Sequence, residues 1–195
     1  MAWSIGQGYP SRTGAEGRES CLTMMLLEKP LETRMAAIKS FVAANALRPG
    51  CRVGGRVLGT VGWNFARHFL GIVETDVAES MVHAWTLGYT AEDRWILKET
   101  GWRAESALRV ADVHDLMALG DQGPCHLKGE SNFTYMLSPV DNRPWAVHWF
   151  INGDGEWIVG AAYVPHPALD WRSGSRVFAG RTVLRKAADA AAMRH

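Results

Sequence analysis

Cys21, His68 and His83 are the residues whose types and order suggest nucleophilic chemistry. Ser20 suits the N-cap of a short helix over 21–28, which would place Cys21 in the first turn. A thiolate there is stabilised by free backbone N–H groups and by the helix dipole, and a histidine on a neighbouring strand completes its activation. The pattern therefore predicts a cysteine nucleophile assisted by histidine.

The order of short motifs over residues 21–90 resembles the NlpC/P60-like branch of the papain-fold cysteine hydrolases. Cys21 is followed by Leu47-Arg-Pro-Gly50, then by His68-Phe-Leu-Gly-Ile-Val73, and then by Val82-His83-Ala84. The resemblance implies a hydrolase or amidase with a Cys-His-His site. In it, Cys21 would be the nucleophile, His68 the base and His83 the residue that orients the base.

Two other assignments of these side chains stay open. Cys125 and His126 form a second Cys/His pair, in a permuted papain-like order in which Cys125 follows His68. Because adjacent side chains of an extended loop point apart, they make a poor nucleophile and base. Alternatively, Cys21 is a packing cysteine, and His68 and His83 are strand histidines satisfied by local hydrogen bonds.

The aromatic content indicates a second class of function, a binding module. Tryptophans line ligand pockets and interface hot spots as well as cores. An exposed aromatic sheet face would hold a small-molecule ligand or a second copy of the chain, and low net charge favours such a homodimer. The residues predicted at this site are Trp145, His148, Trp149, Trp157 and Tyr135, with Asp141 as a nearby polar group.

Most of these residues lie in or beside a predicted β-hairpin over Trp145–Val164. Two apolar runs flank Asn152-Gly153-Asp154-Gly155, a turn cluster that tolerates positive φ. Neither face of the first strand is plainly polar, because Trp145, Val147, Trp149 and Ile151 alternate with Ala146, His148 and Phe150. We therefore expect unequally buried faces, one on an N-terminal helix and the other lining a pocket or a subunit interface.

The segment before the sheet predicts a helix over residues 31–47. Its apolar residues recur at helical spacing, Pro30 suits the first turn, and Pro49-Gly50 ends the pattern. A sheet is expected from Cys51 onward, where valines alternate with glycines. Further strands are predicted over residues 68–73, 81–87, 95–98, 132–137 and 176–179, with a link over 74–80 and a helix over 110–119 closed by Gly120.

These elements predict an α+β fold, with N-terminal helices followed by a mainly antiparallel, curved sheet around the Trp-rich hairpin. This order looks loosely like the cone-shaped NTF2-like fold, which holds small ligands against its concave face. The predicted organisation is a loose N-terminal tail over 1–20, a single domain over 21–186 and a C-terminal tail over 187–195. Translation starting at Met24 or Met25 would place Cys21 upstream of the natural protein.

The composition disfavours two classes of partner, nucleic acids and anionic membranes. The 195 residues carry a formal net charge of +1, which gives no field that would recruit nucleic acid or an anionic membrane. No apolar run approaches the length of a bilayer span, so we expect a cytoplasmic protein. Three cysteines without metal-site spacing suit a reducing compartment. No histidine pair has helical ligand spacing, so we predict neither a metal nor another cofactor.

Overall fold

The fold was obtained as a computed structural model, which describes residues 26–104, 107–125, 127, 130–165 and 170–180. Cys21, His126 and both predicted tails lie outside the described residues, as does most of the predicted helix over 21–28. The described chain is α+β, with a large mixed sheet and short helices. The strands are β1 Leu26–Met35, β2 Ile38–Val42, β3 Arg52–Val53, β4 Arg56–Val61, β5 Val73–Val77, β6 Ser80–Leu87, β7 Ala91–Glu92, β8 Asn132–Leu137, β9 Pro144–Ile151, β10 Trp157–Tyr163, β11 Asp170–Trp171 and β12 Arg176–Gly180.

The helices are short and lie between the strands. They are α1 Ala43–Ala46, α2 Trp63–Phe69, α3 Asp93–Glu99 and α4 Val110–Ala118, with a 3₁₀ turn over Gly120–Gln122. Gly120 adopts φ of +51°, a left-handed conformation that closes α4 as the sequence predicts. No helix in the described part of the chain is long and apolar enough to cross a membrane.

The predicted hairpin is confirmed. β9 and β10 pair antiparallel from Trp157 opposite Ile151 to Tyr163 opposite Trp145. Asn152 organises the turn, since its side-chain oxygen accepts hydrogen bonds from the backbone N–H groups of Asp154 and Glu156. β8, over the residues of a predicted strand, pairs with the other side of β9, so β8, β9 and β10 form a three-stranded antiparallel meander.

The hairpin lies inside an eight-stranded sheet with the order β1-β6-β12-β8-β9-β10-β4-β3. Most neighbours are antiparallel, but β12 pairs parallel with β8 and β10 pairs parallel with β4. Two small ladders, β2 with β5 and β7 with β11, lie outside this sheet. The sheet is therefore mixed, which refines the prediction of a mainly antiparallel one.

Apolar clusters cover both faces of the sheet. The first face carries Trp149 and Trp157 and packs against apolar residues of α2 and α4, such as Phe65 and Leu116. The second face carries Phe133, Tyr135 and Ala146 and packs against Ile96 of α3 and against Trp171. The two faces of β9 are unequally buried as predicted, because His148 and Phe150 stay half-buried while the side chains that alternate with them are buried.

The predicted helix over 31–47 is wrong. Residues 31–35 continue β1, 38–42 form β2, and only Ala43–Ala46 is helical. Leu31, Thr33 and Met35 also alternate with polar residues, so the same run fits a strand, and pairing with β6 decides between the two periods. Pro30 is tolerated because β1 is an edge strand, whose register shifts between Leu27 and Leu31. The first face of the hairpin therefore packs on α2 and α4, not on an N-terminal helix.

Two predicted strands are helices. His68 lies in α2, where Phe65 and Phe69 recur at helical spacing and bury one side of the helix. Trp95–Lys98 lies in α3, which Asp93 begins with a negative charge in its first turn. The predicted link over 74–80 instead contains most of β5, which pairs with β2.

Candidate functional site

A cavity of about 590 Å³ opens between the end of α2 and the loop that joins β8 to β9. We call it the helix–loop cavity. Its apolar walls include Ile72, Val73 and Val140, and its polar lining is supplied by Arg67, His68, Ser138 and Asn142. The remaining lining residues are Gly71, Leu137 and Pro139. A volume of this size lies in the range of ordinary ligand pockets.

Helix α2 presents different side chains to its two surroundings. Phe65 and Phe69 anchor it in the core. Asn64 and His68, four residues apart, both reach the strand ends, where the Asn64 amide donates to the Ala161 carbonyl at 3.1 Å. Arg67 stays exposed, with its guanidinium 5.2 Å from the ring centre of Trp63. The helix thus presents a histidine and a cation to the same cavity.

The β8–β9 loop is fixed by hydrogen bonds within Ser138–Arg143. The Ser138 N–H donates to the Arg143 carbonyl at 3.0 Å, and the Val140 N–H donates to Oγ of Ser138 at 3.1 Å. Asp141 accepts from the Arg143 N–H at 3.2 Å. Asn142 adopts φ of +54°, which asparagine tolerates better than most residues. Local side-chain bonds therefore set the shape of the cavity wall.

His68 links this loop to α2. Its Nδ1 and Oγ of Ser138 are hydrogen-bonded at 2.9 Å, and both side chains are buried. The ring lies 4.0 Å from that of Trp145, measured between centroids, and Nε1 of Trp145 donates to the Asp141 carboxylate at 3.2 Å. His68 is therefore held by a hydrogen bond at one nitrogen and by an aromatic neighbour.

Asp141 supplies a fixed negative charge beside this pair. Burial raises the pKa of Asp141, but hydrogen bonds from Trp145, from the backbone of Arg143 and from Ser138, with His68 nearby, outweigh burial and lower the pKa below its usual value. The carboxylate therefore stays ionised and is directed toward the loop and the His68–Ser138 pair. It does not line the cavity.

The structure does not bring the three predicted catalytic residues together. His68 lies at the cavity on the first sheet face, beside Trp145. His83 follows Val82, which points to the first face, so His83 points to the second, where its ring stacks with Trp85. His83 therefore cannot orient His68. Cys21 lies outside the described residues.

His83 has a different environment. Its Nδ1 lies 3.8 Å from the Glu32 carboxylate and has no hydrogen-bond partner. Burial lowers the pKa of His83 below its usual value, although Glu32 partly opposes the effect. The described surroundings are those of a neutral histidine on β6, the strand next to the edge strand β1.

The predicted aromatic ligand residues are mostly core residues. Trp149 and Trp157 are fully buried, and their indole N–H groups donate to Sγ of Cys125 and to the Val53 carbonyl. Tyr135 is also buried and donates to Asp93. None of these three residues lines the helix–loop cavity. Trp145 contacts the cavity histidine, so it is the member of this set that lies next to a cavity.

His148 lies on the second face, away from the cavity, with its ring 6.0 Å from that of Trp171. Burial lowers the pKa of His148. Its Nδ1 has no hydrogen-bond partner, and Gly160 lies so close that an added Cβ would meet Nε2 at 2.5 Å. His148 is thus a tightly packed neutral side chain, not a pocket residue.

Cys125, the alternative nucleophile, is inert in this structure. Burial raises the pKa of its thiol to about 12, although the Trp149 N–H and the charge of Arg176 oppose the rise. The thiol also hydrogen-bonds to the Leu116 carbonyl at 3.5 Å. Among the described residues, no group of three His, Cys, Asp or Glu side chains is arranged to hold a metal ion.

Sequence reasoning missed Ser138 and Arg67, and named Asp141 only as a general polar group. A signal for the loop was present, because Ser138-Pro-Val-Asp141-Asn142 combines residues that form side-chain-stabilised turns. A comparison of the chain with protein-family models, curated proteins and solved structures gave no match. The candidate site therefore stands on its geometry alone.

Proposed function

We propose that this protein is a small-molecule-binding module whose ligand occupies the helix–loop cavity. The observation that supports it is the composition of the cavity, in which apolar walls meet a few convergent polar groups. Val73 and Val140 stay exposed at this cavity, although apolar side chains are normally covered. A bound ligand would cover them. The sequence predicts a ligand surface on an aromatic sheet face. The ligand surface proposed here is instead at the strand ends around Trp145.

A neutral fluorescent probe tests this proposal. N-phenyl-1-naphthylamine fluoresces strongly only in apolar surroundings, and we expect saturable binding of one probe per full-length chain. Gly71→Leu should abolish binding, because Gly71 lines the cavity and its Cβ position is open, so the new side chain fills the cavity without strain.

Gly153→Leu is the matched control. Gly153 has the same open Cβ position but lies in the hairpin turn, so the substitution should leave probe binding unchanged. Equal binding by the wild-type protein and the Gly71→Leu variant would refute the proposed site. Circular dichroism of both variants checks that the fold is intact.

A second candidate function, cysteine hydrolysis with Cys21 as nucleophile, is supported by one observation. His68 lies at a cavity with its ring oriented through Nδ1, which is what a general base requires. In this candidate hydrolase, Ser138 would orient His68, whereas the family resemblance assigns that role to His83.

The rate of Cys21 alkylation by iodoacetamide distinguishes this candidate. If His68 activates the thiol, His68→Asn should slow alkylation of Cys21 at neutral pH by about tenfold or more, while His83→Asn leaves it unchanged. Peptide mass spectrometry assigns the modified cysteine. A rate that does not respond to His68 excludes the hydrolase and leaves the binding proposal standing.

A further inference from the structure

Resting on the function proposed above, we propose that the ligand of the helix–loop cavity is a small organic carboxylate. Its carboxylate would be bound by Arg67 and by Nε2 of His68, and its apolar body would contact Val73 and Val140. This assigns a chemical class to the ligand and a role to each polar group.

The charge of the cavity supports an anion. Arg67 lines it, and none of the described residues of its lining is an aspartate or a glutamate. The guanidinium of Arg67 forms no ion pair with a described residue, and its contact is the ring of Trp63. An exposed, unpaired arginine beside apolar walls fits a ligand that carries one negative charge on an apolar body.

The hydrogen bonds of His68 support a second contact with the anion. Ser138 Oγ already accepts from the Val140 N–H, and the Asp141 carboxylate can only accept, so the Ser138 proton is drawn toward Asp141. Nδ1 of His68 then donates to Oγ. This leaves Nε2 as the ring nitrogen that can contact the ligand.

Nε2 of His68 is available for a ligand. It forms no hydrogen bond with a described residue, and it is not among the buried ring nitrogens that lack both partner and solvent, which in the described chain are Nδ1 of His83 and Nδ1 of His148. The charged groups that face His68 are Arg67 on its own helix and Asp141 on the loop. A carboxylate at Nε2 is bound by the imidazolium form, in which both ring nitrogens donate.

Three ligands that share one alkyl chain test the charge preference. Octanoate, octanamide and octylammonium are titrated against the full-length protein below their micelle concentrations, by displacement of N-phenyl-1-naphthylamine. We expect octanoate to bind about tenfold more tightly than octanamide, and octylammonium to bind most weakly.

Two variants assign the contacts. Arg67→Met removes the charge but keeps an apolar stem beside Trp63, and it should lower octanoate affinity about tenfold without affecting octanamide. Arg94→Met is its matched control, because Arg94 is also a helical arginine over a tryptophan, 5.6 Å from the ring centre of Trp95 on α3. Its octanoate affinity should be unchanged.

His68→Asn keeps an amide near the position of Nδ1, where it can still bond Ser138, but lacks Nε2. We expect it to weaken octanoate binding and to retain octanamide binding, while His114→Asn on α4 changes neither. Equal affinity for octanoate and octanamide would overturn the carboxylate assignment and leave the binding function intact. Absence of Gly71-dependent probe binding would instead refute the binding function itself.

Discussion

The helix–loop cavity and a second polar group, the cluster of Asp93, Tyr135 and Trp171, show how differently one fold treats buried polar side chains. Asp93 accepts hydrogen bonds from the Tyr135 hydroxyl at 2.9 Å and from the Trp171 indole at 2.8 Å. Burial and the adjacent Asp93 carboxylate raise the pKa of Tyr135 well above its usual value, so its hydroxyl stays a donor. In the cavity, His68 has one nitrogen fixed and the other available. Buried polar groups whose hydrogen bonds are all made, as in the Asp93 cluster, indicate a structural role. A histidine with one unbonded nitrogen at an open cavity indicates a binding role.

The largest effect we predict is on stability in the Asp93 cluster. Asp93→Ala removes the carboxylate that accepts from the buried Tyr135 hydroxyl and Trp171 indole, and should lower the free energy of unfolding by about 2–4 kcal/mol. Urea denaturation measures the change. Octanoate affinity at a temperature where the variant is folded should match the wild-type value. A loss of affinity would show that the Asp93 cluster and the helix–loop cavity are coupled, and would contradict their separate roles.

The difference between the two regions explains what the sequence could reveal. The hairpin was predictable because the turn residues from Asn152 to Gly155 and the flanking apolar runs are consecutive in the chain. The cavity was not, because it joins His68 to Ser138 over 70 positions, through the packing of α2 on the hairpin. Neither local periodicity nor motif spacing encodes that distance.

The errors in element type have the same origin. Leu31, Met35 and Ile38 satisfy a helical period, while alternate residues of the same run satisfy a strand period. Pairing with β6 and β5 selects the strands, and these partners are more than thirty residues away in the chain. Around His68, the short Gly-Ile motif favours a strand, whereas the i, i+4 pair of Phe65 and Phe69 favours the helix that forms.

The next effect concerns the histidines of the second face. The pKa values of His83 and His148 are lowered in the fold, mainly by burial, so the unfolded chain binds protons more readily. These two histidines therefore cost no stability above pH 6.5, which is about the pKa of histidine in the unfolded chain. Below that pH the free energy of unfolding falls. Urea midpoints should therefore fall between about pH 7.5 and 5.

His83→Leu and His148→Leu should each reduce this slope. The acid sensitivity of folding would then belong to these two histidines of the second face. A slope that persists in both leucine variants would assign the acid sensitivity to other groups.

A smaller effect is expected at the junction of loop and helix. Ser138→Ala removes the hydrogen-bond partner of both Nδ1 of His68 and the Val140 N–H, and should cost about 1–2 kcal/mol of unfolding free energy. Octanoate binding should also weaken, because the histidine ring loses its orientation. Ser173→Ala, whose hydroxyl bonds the Gly88 carbonyl at the surface, is the control and should leave affinity unchanged.

The smallest change in stability is predicted for a substitution of Val140 in the cavity wall. This substitution separates an effect on ligand binding from an effect on stability most clearly. Val140 is 56% exposed, so Val140→Asp should alter the unfolding free energy by no more than about 0.5 kcal/mol. Its new charge lies on a wall that contacts the apolar body of the ligand, and it should reduce affinity for both octanoate and octanamide. Leu31→Asp, at a residue of 52% exposure on the edge strand, is the matched control and should bind both ligands normally. Calorimetric unfolding and probe displacement on the same samples separate the change in stability from the change in ligand affinity. An equal loss of affinity in both variants would show that Val140 is an ordinary surface residue.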